Sequence, residues 1–594
     1  MTIGWLNAES RLRVALLAVL VGLVAGFGAV AFRLLVALFR NLFFFGRLSF
    51  VYDANFHTLP SAWGVAVILV PVVGAVVVAF LVKDFAEEAR GAGVAEVIDA
   101  VYYQRGVIRP VVALVKALAA SVSLGSGASV GREGPIIQIG ATFGSTVGQL
   151  VRMADWERAA LIACGAAGGI AATFNTPIGG VLFAIEIIMA EISARTLVPV
   201  ALATGTATLV GQTFFGDHPV FHLATVPERA HILPLGTFAA DAGLGLLIGL
   251  MAVAFIRGIY LAQDLFDRVP GNYYFRHGLG MLVLGLVMYL LMAGSGHYYV
   301  EGAGYATVRD LLTGALNASY LLALLFALKL LVTAVSLGSG ASGGVFSPAL
   351  FMGATVGAGY GALLNQIFPG HVDPAVMAVA GMAGAVGAVT GAVVTGMVMV
   401  FEMIRDFDVI APLLITTALA YGLRRLLLED SVYTMKLARR GHYIPELRQT
   451  SAYLLESAGR VLRVPVVTMT AEQWTAGMPD AAAGAPHVLI TEHGRLYGVV
   501  PAEQVQGRLE HSPTHGDPHG SVQRFVVVRA DQPVASVVAS LRAARLPAAV
   551  VSVDGRAERP EDVLGVLSGE EIVRGGNLPL RLLRFRPSPD RERT

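Results

Sequence analysis

Apolar positions dominate the chain from about residue 11 to 428 and then stop. Residues 14–32 (VALLAVLVGLVAGFGAVAF) and 61–80 (SAWGVAVILVPVVGAVVVAF) carry no charge. Each is close to the roughly 20 residues a bilayer demands, which predicts a spanning helix. Residues 159–185 are also free of Asp, Glu, Lys and Arg, as are residues 330–372. The last run is too long and too rich in Gly, Ser and Pro for one helix, so a break is predicted within it. Beyond it Arg424, Arg425, Lys436, Arg439 and Arg440 form a basic flank, which predicts a cytoplasmic exit. From about residue 465 short β-like runs alternate with small helices, as in HVLITEHGRLYGVVPAEQV (487–505) and LPAAVVSVDG (546–555). That pattern predicts a soluble α/β domain.

Composition sharpens this reading. The 594 residues have a mean hydropathy of +0.66 and 14% charged side chains, against roughly 25% in soluble proteins. A net charge of +1 gives no reason to expect nucleic acid as a partner. The single cysteine, Cys164, excludes an internal disulfide. The opening MTIGWLNAESRLRVALL has no small-residue cleavage site soon after its apolar run and reads as a retained first helix. The 68 glycines allow close helix contact and irregular turns. In lipid such turns must be buried in protein or line an aqueous path, because bare N–H and C=O groups are not tolerated there.

The apolar region contains an internal repeat. VSLGSGAS at 122–129 returns unchanged at 335–342, which is 213 positions on (335 minus 122). The same offset joins Lys116 to Lys329, Pro135 to Pro348, Gly140 to Gly353, Ala141 to Ala354 and Thr142 to Thr355. At an offset of 216, Gly165 matches Gly381, Gly168 matches Gly384, Gly180 matches Gly396 and Glu186 matches Glu402. Two related halves, about 11–215 and 235–430, account for this better than shared Gly/Ala/Ser composition. Paired halves with interrupted helices point to a central substrate site in a transporter fold.

Each repeated phrase reads as helix, break, new helix. GSGAS suits a helix interior poorly, and Pro135 and Pro348 suit the first turn of a helix. A helix that begins at membrane depth presents free N–H groups and a positive dipole end. Two such beginnings facing each other predict an anion site without direct Lys or Arg contact. GAGVAEV at 91–97 is a weaker third candidate segment. The first phrase continues into Arg132 and Glu133. Neighbours in sequence seldom face each other, so an Arg132–Glu133 pair is the poorer reading. In the better one Glu133 competes with the anion for its position, and protonation withdraws it. An enzyme is not expected: there is no metal-ligand cluster, nucleophile elbow or P-loop, and GREGP lacks the Lys-Ser/Thr ending.

GREGP (131–135) and GVFSP (344–348) resemble the two signature segments of CLC chloride channels and transporters. GAGVAEV, FNTPIGGVLFAIE (174–186) and SVYTMKLARRG (431–441) are similar to other stretches of that family, in the family's order. The resemblance implies an all-α polytopic CLC fold, made of two inverted repeats of tilted and partial helices. It implies a homodimer in the plasma (inner) membrane, with both termini cytoplasmic and with inorganic anions, chloride above all, as the transported ligand. Glu133 then corresponds to the external gating glutamate. Arg132, Gly134, Val345 and Phe346 correspond to backbone around the ion. Ala92, Gly93 and Val94 correspond to the inner segment, and Tyr433 to the tyrosine whose hydroxyl meets the central anion. Two departures stand out. Ala92 replaces the usual serine and removes a donor. Ile187 replaces the internal glutamate common in proton-coupled exchangers, so a proton route would need water or another acid. On that ground passive, channel-like conduction is expected, with proton-coupled antiport as the alternative. Fluoride export, usual in relatives without a long tail, and a non-conducting nucleotide sensor are further readings. Glu186 and Glu402 are expected to bond helix ends.

The chain is thus expected to comprise a transmembrane domain over 1–445 and a cytosolic α/β domain over 446–594. The latter, from about 460 to 580, resembles a CBS pair. Ser568 and Glu571 stand where nucleotide-binding modules carry a hydroxyl and a ribose-binding acid, whereas the first module has Pro501 and Gln504 there. Adenine nucleotide is therefore weighed against a structural dimerisation module, and no other cofactor is implied. HSPTHGDPHG (511–520) spaces three histidines four apart, but its Pro and Gly prevent the helix that would align them, so a linker is expected and no metal.

Overall fold

The computed structural model describes residues 8–189, 194–223, 234–368, 372–442, 451–462, 467–476, 487–501, 522–544, 546–569 and 571–572. Gln504 and the 511–520 run lie outside the described residues. The chain divides into two compact units. The first runs to Lys436 apart from residues 102–105, and the second takes those four residues and everything from Leu437.

The first unit is helical, and its two halves follow one order. The first half holds α1 (Ala8–Phe45), α2 (Val70–Phe85), α3 (Val94–Tyr103), α4 (Val111–Gly125), α5 (Glu133–Leu150), α6 (Asp155–Phe174), α7 (Pro177–Phe183) and α8 (Ala194–Phe215). The second holds α9 (Pro234–Arg268), α10 (Tyr273–Ser295), α11 (Tyr305–Leu312), α12 (Ser319–Ser339), α13 (Phe346–Ile367), α14 (Pro374–Thr390), α15 (Val393–Ile404) and α16 (Ile410–Leu427). The short α17 (Val432–Arg439) follows. Among the described residues seven helices are long and apolar enough to cross a membrane. Others, such as α4, α14 and α15, are shorter than a full span and are partial helices.

The breaks fall where the repeated phrases are. Helix α4 ends at Gly125, and Gly127 takes a φ of +98°. Helix α12 ends at Ser339, and Gly340 takes a φ of +127°. A side chain would strain both turns. Pro135 and Pro348 stand in the first turns of α5 and α13, where a missing N–H costs nothing. The two breaks then meet. Gly131 N–H donates to Gly344 O and Gly344 N–H donates to Gly131 O, at 2.7 Å each, as an antiparallel bridge. Equivalent residues bonded reciprocally place a local two-fold axis between them, as inverted repeats require.

The second unit contains two three-stranded sheets of the same plan. In one, β1 (Val467–Thr470) pairs parallel to β2 (His487–Glu492), which pairs antiparallel to β3 (Arg495–Pro501). In the other, β4 (Phe525–Arg529), β5 (Ala548–Ser552) and β6 (Val563–Ser568) do the same, and the helix Val534–Ala544 crosses between β4 and β5. Leu489 and Val499 of one sheet pack with Ala548, Val550 and Val566 of the other. This doubled α/β unit is the form expected of a CBS pair.

Candidate functional site

The helix starts of α5 and α13 lie against each other beside the Gly131–Gly344 bridge. A methyl placed on Gly344 would stand 2.7 Å from Gly134 N and 3.1 Å from Glu133 Oε2. In these first turns no carbonyl lies one turn back to accept from the leading N–H groups, among them those of Gly134 and Ser347. The third segment joins them. Gly91 N–H donates to Ala341 O and Gly343 N–H donates to Gly91 O, both at 3.2 Å. A methyl on Gly134 would run into the carbonyl of Ala92 and stand 3.0 Å from Gly344 Cα. Gly93, with a φ of +84°, leads into Val94 at the start of α3. Three segments from remote parts of the chain thus converge on one small space.

Glu133, 2% exposed, opens α5 in that space. Its Oε1 accepts a hydrogen bond from the Tyr305 hydroxyl at 2.8 Å and another from the Ser347 hydroxyl. The two hydroxyl oxygens also lie within hydrogen-bond distance of each other, but each has a single proton, and it goes to Oε1. Oε2 is buried without a partner. Leaving a buried acceptor unsatisfied costs about 1–3 kcal/mol, so this carboxylate is held firmly on one side and poorly on the other. Arg132 does not pair with it. Its guanidinium lies 4.9 Å from the centroids of both Phe174 and Tyr305. It also lines a cavity of about 440 Å³ that takes in Arg33, Arg309, Phe174 and Tyr305, with Asp53 the one acid in its wall among the described residues. Three guanidinium groups against one carboxylate leave the described part of this wall net positive.

Val345 and Phe346 are buried, Val345 capping α13 and Phe346 opening it, and the Phe346 ring lies 6.0 Å from Phe174. Tyr433, also buried, is in the first turn of α17, where Tyr260 donates to the carbonyl of Val432 at 2.6 Å. Three residues on, Lys436 pairs with Glu96 at 2.8 Å, and a methyl on Gly91 would stand 3.7 Å from the ammonium. The α17 side therefore closes on the Gly91–Val94 segment. Ala92 brings a carbonyl here and no hydroxyl.

Ile187 lies half-buried in a π-helical turn (Ala184–Met189), a form enriched at functional sites. Its neighbour Glu186 accepts from Val394 N at 3.1 Å, Thr395 N at 2.7 Å and the Thr395 hydroxyl at 2.6 Å, capping α15. Glu402 accepts from Ile178 N at 3.0 Å and Gly179 N at 2.7 Å, capping α7. The matched glutamates thus cap each other's partner helices reciprocally, as expected of helix-end ligands.

Tyr305 and Ser347 were not singled out by the sequence. A signal existed for the first: GAGYATV at 302–308 echoes GAGVAEV at 91–97, with Tyr305 in the place of Val94. In the tail, Glu571 is partly exposed but engaged by its neighbours. Its carboxylate accepts from Ser568 N at 3.0 Å and from the Ser568 hydroxyl at 3.2 Å, and contacts His487 Nε2 at 2.8 Å. Burial alone would raise its pKa; the His487 and Ser568 contacts outweigh that and hold it below the ordinary carboxylate value. A carboxylate so engaged offers little to a ribose.

Two halves that bring broken helices, a buried glutamate and a buried tyrosine to one point define, as a class, a CLC-type membrane transporter of anions. The family described as "Voltage gated chloride channel" matches residues 74–425, and the chain belongs to this family, the CLC proteins. It is 33% identical over 437 residues to the H(+)/Cl(-) exchange transporter ClcA of Vibrio parahaemolyticus, covering 72% of this chain and 89% of that one. A solved structure described as a slow cyanobacterial Cl-/H+ antiporter aligns with a TM-score of 0.60 at 26% identity, over 72% of this chain and 98% of that one. A eukaryotic CLC transporter aligns with a TM-score of 0.62 over 93% of this chain and 98% of that one; at 21% identity it speaks for the fold, tail included. The ClcA relative and the cyanobacterial structure are described as exchanger and antiporter, which fits the alternative of proton-coupled antiport better than the passive conduction expected from Ile187. Another relative, 33% identical over 385 residues, is described as "Putative chloride channel protein ClcB-like".

Proposed function

We propose that this protein exchanges chloride for protons across the membrane, with Glu133 alternating between the anion path and a protonated, withdrawn form. The observation that carries this reading is the buried Glu133 carboxylate among the helix starts of α5 and α13, with one oxygen bonded and the other bare. An external anion and this carboxylate want the same N–H groups, and a proton on the carboxylate removes the competition. Similarity to named exchangers supports the coupling. Ile187 does not argue against it, because losing one acid does not close a path that water or another acid can complete. Glu96, ion-paired to Lys436 beside Gly91, is one acid next to the Gly91–Val94 segment.

Backbone N–H groups near Gly134, Val345 and Phe346, with the Tyr433 hydroxyl, are the anion's donors in this reading. The bare methyl of Ala92 relaxes the preference for chloride over nitrate or bromide. We also infer a homodimer with both termini cytoplasmic in the plasma (inner) membrane, supported by the family likeness and the basic flank at Arg439 and Arg440. The CBS-like tail acts structurally and takes no nucleotide.

The test is reconstitution in liposomes under an imposed chloride gradient. Uphill proton movement that stops in Glu133→Gln is expected. Chloride flux without any proton movement would return the protein to passive conduction. The same detergent-solubilised sample should show twice the chain mass by light scattering, and a single-chain mass would remove the dimer.

A further inference from the structure

We propose that Tyr305 and Ser347 form a hydroxyl latch on Glu133, and that Tyr305 is the positioning residue that sets the pH at which the glutamate releases the anion path. The inference rests on the reading of Glu133 as the gate and adds the residues that control it.

The geometry is specific. Tyr305 is the first residue of α11, and its 2% exposure leaves its hydroxyl no access to bulk water. It donates to Glu133 Oε1 at 2.8 Å, and Ser347, in the first turn of α13, donates to the same oxygen. The tyrosine ring is fixed independently of its hydroxyl. Phe221 stands edge-on at 5.5 Å and the Arg132 guanidinium lies 4.9 Å from the ring centroid. Behind it, Lys329 donates to Val300 O at 2.9 Å and Gly302 O at 2.8 Å, holding the loop from which α11 starts. Lys116 does the same in the first half, to Ala89 O at 3.0 Å and Gly91 O at 2.6 Å. The two halves therefore build the same pinned loop and put it to different uses. The first copy presents Ala92, Gly93 and Val94 to the centre of the site, and the second presents a phenol to the glutamate.

Both hydroxyls donate to one carboxylate oxygen, so the latch holds the Glu133 side chain in the anion path. Other ionisable groups act on the same carboxylate. Arg132 precedes it, and Lys329 of α12 and Tyr433 of α17 lie within electrostatic range. These remain when the Tyr305 hydroxyl is removed, which isolates the latch.

The experiment measures chloride flux from liposomes over a series of external pH values for the full-length wild type, Tyr305→Phe, Ser347→Ala and Glu133→Gln. Loss of one charge-assisted hydrogen bond should move the midpoint of the Tyr305→Phe profile toward alkaline pH by about one unit. Ser347→Ala should shift it in the same direction, and it serves as the test if Tyr305→Phe does not fold. Glu133→Gln should flatten the profile. A Tyr305→Phe or Ser347→Ala protein with an unmoved midpoint and a uniformly lower rate would reduce the pair to packing. A Glu133→Gln profile as steep as the wild type's would end the latch together with the gate. Because the readout is chloride alone, a shifted midpoint in a protein that moves no protons would keep the latch and discard exchange.

Discussion

Glu186 and Glu402 are acids at membrane depth whose work is to bond helix ends. Each gives its carboxylate to the first turn of a helix from the other half, where N–H groups have no intrahelical acceptor. Glu402→Ala should therefore lower thermal stability in detergent by about 1.5–3 kcal/mol, the range for hydrogen bonds to a charged group. The proton-to-chloride ratio of the folded fraction should stay as in the wild type, and a changed ratio would make Glu402 part of the transport path. The matching positions 186 and 402 were legible in the sequence, and so was the helix-end role, since a buried acid needs donors. Glu133 was legible for the same reason, as a lone acid beside a helix break. Ser347 was not, because a serine in a Gly/Ser-rich phrase carries no signal of its own. Tyr305 was hidden by its offset: the GAG echo runs at 211 positions (302 minus 91), out of step with the 213 of the main repeat.

Helices α5 and α6, and their counterparts α13 and α14, owe their closeness to glycine. A methyl on Gly165 would run into the carbonyl of Gly140, and one on Gly381 into the carbonyl of Gly353. These are the residues that the repeat matched at offsets 213 and 216, so the repetition records a packing requirement. Gly165→Ala should abolish monodisperse protein in detergent or cut its yield severely. Gly205→Ala in α8, where an added methyl meets nothing within 4 Å, should be tolerated. Equal yields for the two would refute the close-packing account. At this scale the long helices were legible from hydropathy, and the breaks from Gly and Pro. Short partial helices such as α7 and α15 were not, because a span of 7 or 12 residues has no length signature in an apolar region.

The molecule as a whole joins a duplicated helical unit to a duplicated sheet unit. Glu571 is spent on Ser568 and His487, so titration of ATP into the intact protein should leave its melting profile unchanged. A saturable rise, absent in Glu571→Ala, would restore nucleotide sensing to the tail. Sequence by itself determined the membrane class, the two halves, the positions of the helix breaks, the α/β character of the tail and the glutamate beside the break. These follow from local causes: charge-free length, the φ range of glycine and the missing N–H of proline. Only the tertiary structure decided which hydroxyls hold Glu133, that Arg132 packs on Phe174 and Tyr305 and does not pair with it, and that Glu571 is engaged. Tyr305 and Ser347 stand 172 and 214 positions from Glu133. No local pattern encodes such a meeting, because it is the packing of α5, α11 and α13 that sets the distances between them.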